Sequence, residues 1–64
     1  MTKIECRENG SGKVIKSYLG DIIPAVGDMF VLHDDDGTQQ YYIVRVRVIL
    51  DNLPRYIRIF IEKW

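Results

Sequence analysis

One cysteine, one histidine and two prolines in 64 residues exclude several kinds of protein at the outset. The lone thiol, Cys6, has no second cysteine in the chain, so no internal disulfide is expected and a reducing compartment suits it. It reads as a small apolar residue on the inner face of a strand. A single histidine, His33, beside a single cysteine gives too few soft ligands for a zinc site. The same pair supplies no nucleophile, base and orienting group to assign. No apolar run approaches the ~20 residues that cross a bilayer as a helix, and the first eight residues lack the apolar core of a signal peptide. Excess charge of one sign is missing too, with nine basic against nine acidic side chains. That balance removes the simplest electrostatic case for nucleic acid. The expectation is a cytoplasmic protein that is not an enzyme, with no cofactor, no metal, no membrane partner and no small-molecule substrate.

What is present is β-structure. A hydrophobic fraction of 47% is ample for a core and argues against disorder. Polar and apolar residues alternate along most of the chain, and β-branched and aromatic side chains are abundant. The pattern predicts strands over Thr2–Glu8, 13–19, Met29–His33, Gln39–Asp51 and 55–64. Asn9-Gly10-Ser11-Gly12 is a turn cluster. Pro24 disfavours a helix in the irregular stretch 20–27, where Ile22, Ile23 and Val26 are expected to plug one end of the core. Asp34-Asp35-Asp36-Gly37-Thr38 carries Asp-Gly, a preferred hairpin dipeptide. It is not a calcium loop, because the twelfth position from Asp34 is Arg45 where an EF-hand needs glutamate. Gly10-Ser11-Gly12-Lys13 lacks the glycine spacing and the Ser/Thr of a phosphate loop. Thirteen residues make a long strand for so short a chain, so residues 39–51 must twist or bend.

A four-residue connection at Asp51-Asn52-Leu53-Pro54 sets the last hairpin so that paired positions sum to 105. Val48 then opposes Ile57, Val46 opposes Ile59 and Val44 opposes Ile61, giving with Tyr42 one apolar face. The other face opposes Arg47 to Arg58, Arg45 to Phe60, Ile49 to Tyr56 and Tyr41 to Trp64. A solvated sheet face is mostly Lys, Glu, Thr and Ser; this one interleaves arginine with aromatics, the residue types enriched at protein interfaces. The candidate binding residues are therefore Tyr41, Arg45, Arg47, Tyr56, Arg58, Phe60 and Trp64. Two opposed arginines call for an anionic partner or a nearby acidic loop. The competing reading makes this face a second core layer, with arginine stems packed over aromatic rings.

The stretch Ile23-Pro24-Ala25-Val26-Gly27-Asp28-Met29-Phe30-Val31-Leu32, then an acidic turn and Tyr41-Tyr42-Ile43-Val44-Arg45-Val46, resembles small SH3-like barrel proteins of the kind found in phages and mobile elements. The resemblance spans about residues 22–64 and implies a compact barrel that acts by binding; no functional residue carries over from it. The expectation is thus an all-β, five-stranded antiparallel small barrel, SH3-like, as a single domain of residues 1–64. Its expected role is an interaction module that binds a protein partner or self-associates, with single-stranded nucleic acid on the same face as the alternative.

Overall fold

Turn chemistry and alternation place the strands close to where the pattern puts them. The computed structural model describes residues 1–34, 36–51 and 55–64, and within them the chain forms β1 (Thr2–Glu8), β2 (Val14–Gly20), β3 (Met29–His33), β4 (Gln39–Asp51) and β5 (Tyr56–Lys63). Gly10 and Gly12 take φ of 104° and 74° in the first turn, where glycine carries no Cβ penalty. Glu8 N donates to Lys13 O at 2.8 Å and Gly12 N to Glu8 O at 2.9 Å, closing the β1–β2 hairpin. In the acidic turn Asp34 N donates to Thr38 O, Gly37 N to Asp34 O, and Thr38 N to the Asp36 carboxylate. That last bond holds the Asp36 carboxyl below its usual range. Asp35 and the turn expected at 52–54 lie outside the described residues.

The strands form one curled, half-barrel sheet in the order β2-β1-β5-β4-β3. Three neighbouring pairs are antiparallel, but β1 and β5 are parallel. This corrects the purely antiparallel expectation, and the reason is parity. Strands that reverse direction at each connection give β1 and β5 the same direction, so bringing first and last strands together makes a parallel pair. Strand order then leaves β2 and β3 as the outermost strands, and Lys16 Nζ reaches across from β2 to His33 O at 3.2 Å.

The inner face carries the core. Ile4 and Cys6 of β1 stand level with Ile57 and Ile59 of β5, and Val44 pairs with Ile61. These six side chains are buried, with Leu32 and Tyr42 beside them and Tyr18, Ile23 and Phe30 packed against the cluster. Burial among apolar groups pushes the Cys6 thiol up to about 11, which agrees with an inert structural cysteine. Of the three residues expected to plug the core, Ile23 does so beside a buried Pro24, whereas Ile22 and Val26 are exposed. The Val26-Gly27 step instead forms a turn: Asp28 N donates to Ala25 O, and the Asp28 carboxylate accepts from Ala25 N.

A bulge divides β4. The β4–β5 pairing follows the expected register at Tyr42, Ile43 and Val44, slips by one residue between Val44 and Val46, and slips again between Ile49 and Asp51. Val46 therefore faces Phe60, Arg47 faces Ile59, Val48 faces Arg58 and Ile49 faces Ile57. The expected Arg47–Arg58 pair does not form. An extra residue bends a strand and increases its twist, and it lies where β3 ends its pairing with β4 at Met29 and Ile43.

Ile59 has the most central place in this core, fully buried between Cys6 and Arg47 on its neighbouring strands. Ile59→Ala should remove about 2–5 kcal/mol, comparable to the roughly 3–5 kcal/mol a core of this size supplies. The variant should be largely unfolded at 25 °C by circular dichroism; a cooperative melt within a few degrees of the parent's would refute this account of the core.

Candidate interaction surface on the outer sheet face

Strand pairing stacks the outward side chains in rows across the sheet. The first row holds Val31, Tyr41 and, through the 3.0 Å bond from Trp64 N to Tyr41 O, Trp64. The second holds Met29, Ile43 and Glu62. Beyond the bulge come Val46, Phe60 and Arg7, then Val48, Arg58 and Glu5, and last Tyr56 with Lys3. The face is divided: apolar and aromatic groups dominate over β3 and β4, and charged groups over β1 and the start of β5.

The charged part is internally paired. Glu5 sits almost buried between Arg7, Arg58 and Tyr56. Arg58 Nε donates to Glu5 Oε1 at 2.7 Å, Arg7 Nε donates to the same oxygen, and the Tyr56 hydroxyl donates to Oε2. Arg7 is fixed further by a 2.9 Å bond to Gly12 O, and the Lys3 ammonium lies 4.9 Å from the centre of the Tyr56 ring, within cation–π range. The Tyr56 hydroxyl, then Arg7, and to a lesser degree Arg58 hold the Glu5 carboxyl at about 2, against its desolvation. A second, more open pairing lies at the bulge, where Glu62 accepts from Asn9 Nδ2 at 2.8 Å and from Arg45 Nε at 3.0 Å. Both bonds lower its carboxyl from the usual value, Asn9 more than Arg45.

The seven candidate residues thus separate into three groups. Tyr41, Trp64 and Phe60 share the outer face, Trp64 being 73% exposed and Tyr41 50%. Tyr56 and Arg58 lie on the same face but are held by Glu5, and Arg45 is held by Glu62. Arg47 is level with the inward-facing Ile59, so the bulge takes it off this face. The opposition of Arg47 to Arg58 is absent, and Arg58 shares the Glu5 carboxylate with Arg7 instead. The alternation Lys3, Glu5, Arg7 on one side of β1 was the signal for it. Val46 and Val48, expected in the core, are exposed at 43% and 38%.

The inner side has an open groove of about 610 Å³ between β2 and β3, lined by Tyr18, Ile22, Pro24, Phe30 and Leu32 with Lys16 at its rim. Among the described residues no group of three His, Cys, Asp or Glu side chains is placed to hold a metal, and no helix is long and apolar enough to cross a membrane. No protein-family model matches the chain, and no curated protein or solved structure matches it either.

Replacing Glu5 with glutamine leaves two guanidinium groups short of their carboxylate. Glu5→Gln should cost about 2 kcal/mol at pH 7. Because the folded carboxyl lies near 2 and its ordinary value is 4.5, its contribution is complete above about pH 4.5 and is lost as pH falls toward 2. Urea midpoints of parent and variant should therefore converge over that window; a gap that stays constant would show that the carboxylate's charge contributes nothing.

Proposed function

We propose that this chain is a non-enzymatic interaction module that binds a protein partner or a second copy of itself through its sheet. In this reading it is a small SH3-like barrel of the kind carried by phages and mobile elements, acting in the cytoplasm on a host factor. One observation carries the reading most: Tyr41 and Trp64 stand exposed and adjacent on the outer face, with Met29 in the next row and 48% exposed. Aromatic and methionine side chains with polar neighbours at their margin are the composition of interface cores. Arg45, beside Glu62 at the bulge, supplies such a neighbour. Single-stranded nucleic acid fits this arrangement less well, because Arg58 and Arg45 already face carboxylates and a phosphate backbone would have to displace them.

Exposed positions tolerate truncation, so Tyr41→Ser/Trp64→Ser should change folding stability by no more than about 1 kcal/mol. Affinity purification of the tagged parent from cells that express it should recover a specific protein that the double variant loses. Equal recovery by parent and variant would overturn the outer-face reading, and a labelled oligonucleotide bound at low salt would favour the nucleic-acid alternative.

A further inference from the structure

The two outermost strands, β2 and β3, flank the inner groove and do not pair with each other. Which of their backbone groups face that gap follows from the bonds they make elsewhere. Lys3 N and Asn9 N donate to Arg55 O and Ile61 O on the β5 side, whereas Glu8 N and Glu8 O bond Lys13 and Gly12 of the first hairpin. Even-numbered residues of β1 therefore bond β2, and their opposites Lys16, Tyr18 and Gly20 bond back. Ser17 and Leu19, between them, turn their N–H and C=O groups toward the gap. On β3, Asp34 N donates to Thr38 O and Asp28 O accepts from Val44 N, so Val31 and His33 turn their backbone groups the other way. The bond from Lys16 Nζ to His33 O agrees with that direction. Apart from it, no described strand takes up either edge.

Width, lining and charge fit an extended chain. A lysine stem of five bonds at ~1.5 Å reaches about 6 Å, so the 3.2 Å bond holds Lys16 Cα within about 10 Å of His33 O. One inserted strand parts its neighbours by about 10 Å, so the gap takes one strand and no second. The groove floor is apolar, with Tyr18, Phe30 and Leu32. Leu19 and Ile22 stand exposed on the β2 side, at 62% and 86%. Lys16 forms no ion pair among the described residues; its ammonium has a neutral carbonyl. Asp21 lines the groove beyond the other end of β2.

We propose that this gap receives an extended peptide segment of a partner protein, with apolar residues at alternate positions and a carboxylate where it passes Lys16. The segment adds a strand. Its backbone takes the free groups of Ser17, Leu19, Val31 and His33, and its inward side chains cover the groove floor. Lys16 exchanges a carbonyl for a carboxylate, a stronger acceptor, while Asp21 repels a second acidic residue at the far end. A long-chain carboxylate would meet Lys16 and the floor but would leave the backbone of both edges unpaired. The site uses the inner groove and the strand edges rather than Tyr41 or Trp64, so it goes beyond the outer-face reading and does not rest on it.

A displayed library of random peptides of about ten residues is long enough to supply one strand. Selection on the parent chain should enrich sequences that alternate apolar residues, hold an aspartate or glutamate and lack proline. The enriched peptide, synthesised with a fluorophore, then gives the affinity by anisotropy. N-methylation of one interior residue keeps the side chains and removes a donor, and should weaken binding roughly tenfold. Lys16→Glu should weaken it roughly tenfold or more, and a peptide with lysine in place of its acidic residue should recover the loss. Ser17→Pro removes a donor that faces the gap and costs no ladder bond. It should abolish binding at an unchanged melting temperature, and Lys16→Glu serves if that variant fails to fold. Tyr41→Ser/Trp64→Ser should bind the peptide as the parent does. No enrichment, a proline-rich consensus, or an affinity indifferent to N-methylation or to Lys16→Glu overturns the inference. Displacement of the peptide by dodecanoate or by unlabelled parent chain, as effective as by unlabelled peptide, also overturns it. Loss of binding in Tyr41→Ser/Trp64→Ser alone would overturn the groove and leave the outer-face reading standing.

Discussion

The parallel seam between β1 and β5 joins two parts of the chain that would otherwise be separate, the β1–β2 hairpin and the β3–β4–β5 meander. It is secured on both faces by different physics. Below the sheet, Ile4 lies beside Ile57 and Cys6 beside Ile59, all buried, so the seam closes by removing apolar area from water. Above it, Glu5 of β1 takes Arg58 and Tyr56 of β5 and Arg7 of its own strand. Apolar contact is tolerant of small shifts. A carboxylate shared by two guanidinium groups and a hydroxyl fixes one alignment, so the outer network sets the register of a seam that the inner face makes favourable.

That division of labour explains why the arginine and aromatic residues are not a uniform binding surface. Tyr56 and Arg58 belong to the seam, and Arg45 to the bulge, where Glu62 draws it back across the strand pair. The bulge is what frees the rest. By slipping the pairing one place it turns Val46 and Val48 outward beside Phe60 and Arg58 and brings Arg47 and Ile49 level with the core strand. The second half of β4 therefore ends with apolar groups on both sides and little covering either.

The strands were legible in the sequence almost to the residue, because alternation and the Asn-Gly, Gly-Asp and Asp-Gly turns are local signals. Three things were not. The parallel pair depends on which strands become neighbours, and no local pattern states that, although strand parity requires it once β1 meets β5. The slip at Arg45 was hidden because residues 42–50 are apolar or arginine on both phases of the alternation, so hydrophobic pattern supports either register beyond Val44. The role of Glu5 was hidden because its partners lie 51 and 53 residues away; only the alternating charges of Lys3, Glu5 and Arg7 hinted that β1 had a polar task. Of the candidate site, the placing of Tyr41 beside Trp64 follows from the expected register, which holds on their side of the bulge, whereas their exposure is seen only in the folded sheet.

Edge management ties these features together. A curled sheet that stops short of closure has two terminal strands, and here they face one another across the inner groove, with Lys16 of β2 bonded to the last carbonyl of β3. Each terminal edge is therefore either short or partly capped by the other. The bulge creates a third edge inside the order of strands, because β3 follows β4 only as far as Ile43. Lengthening β3 would cover that rim, but continued pairing past the bulge would require β3 to bend with β4. Gly27 and Asp28 turn the chain away instead, Gly27 N donating to Val44 O and Asp28 O accepting from Val44 N at the last shared level. The rim that no described strand covers is thus a consequence of how the sheet curls around Ile59, so the curvature that builds the core also parts β4 from β3.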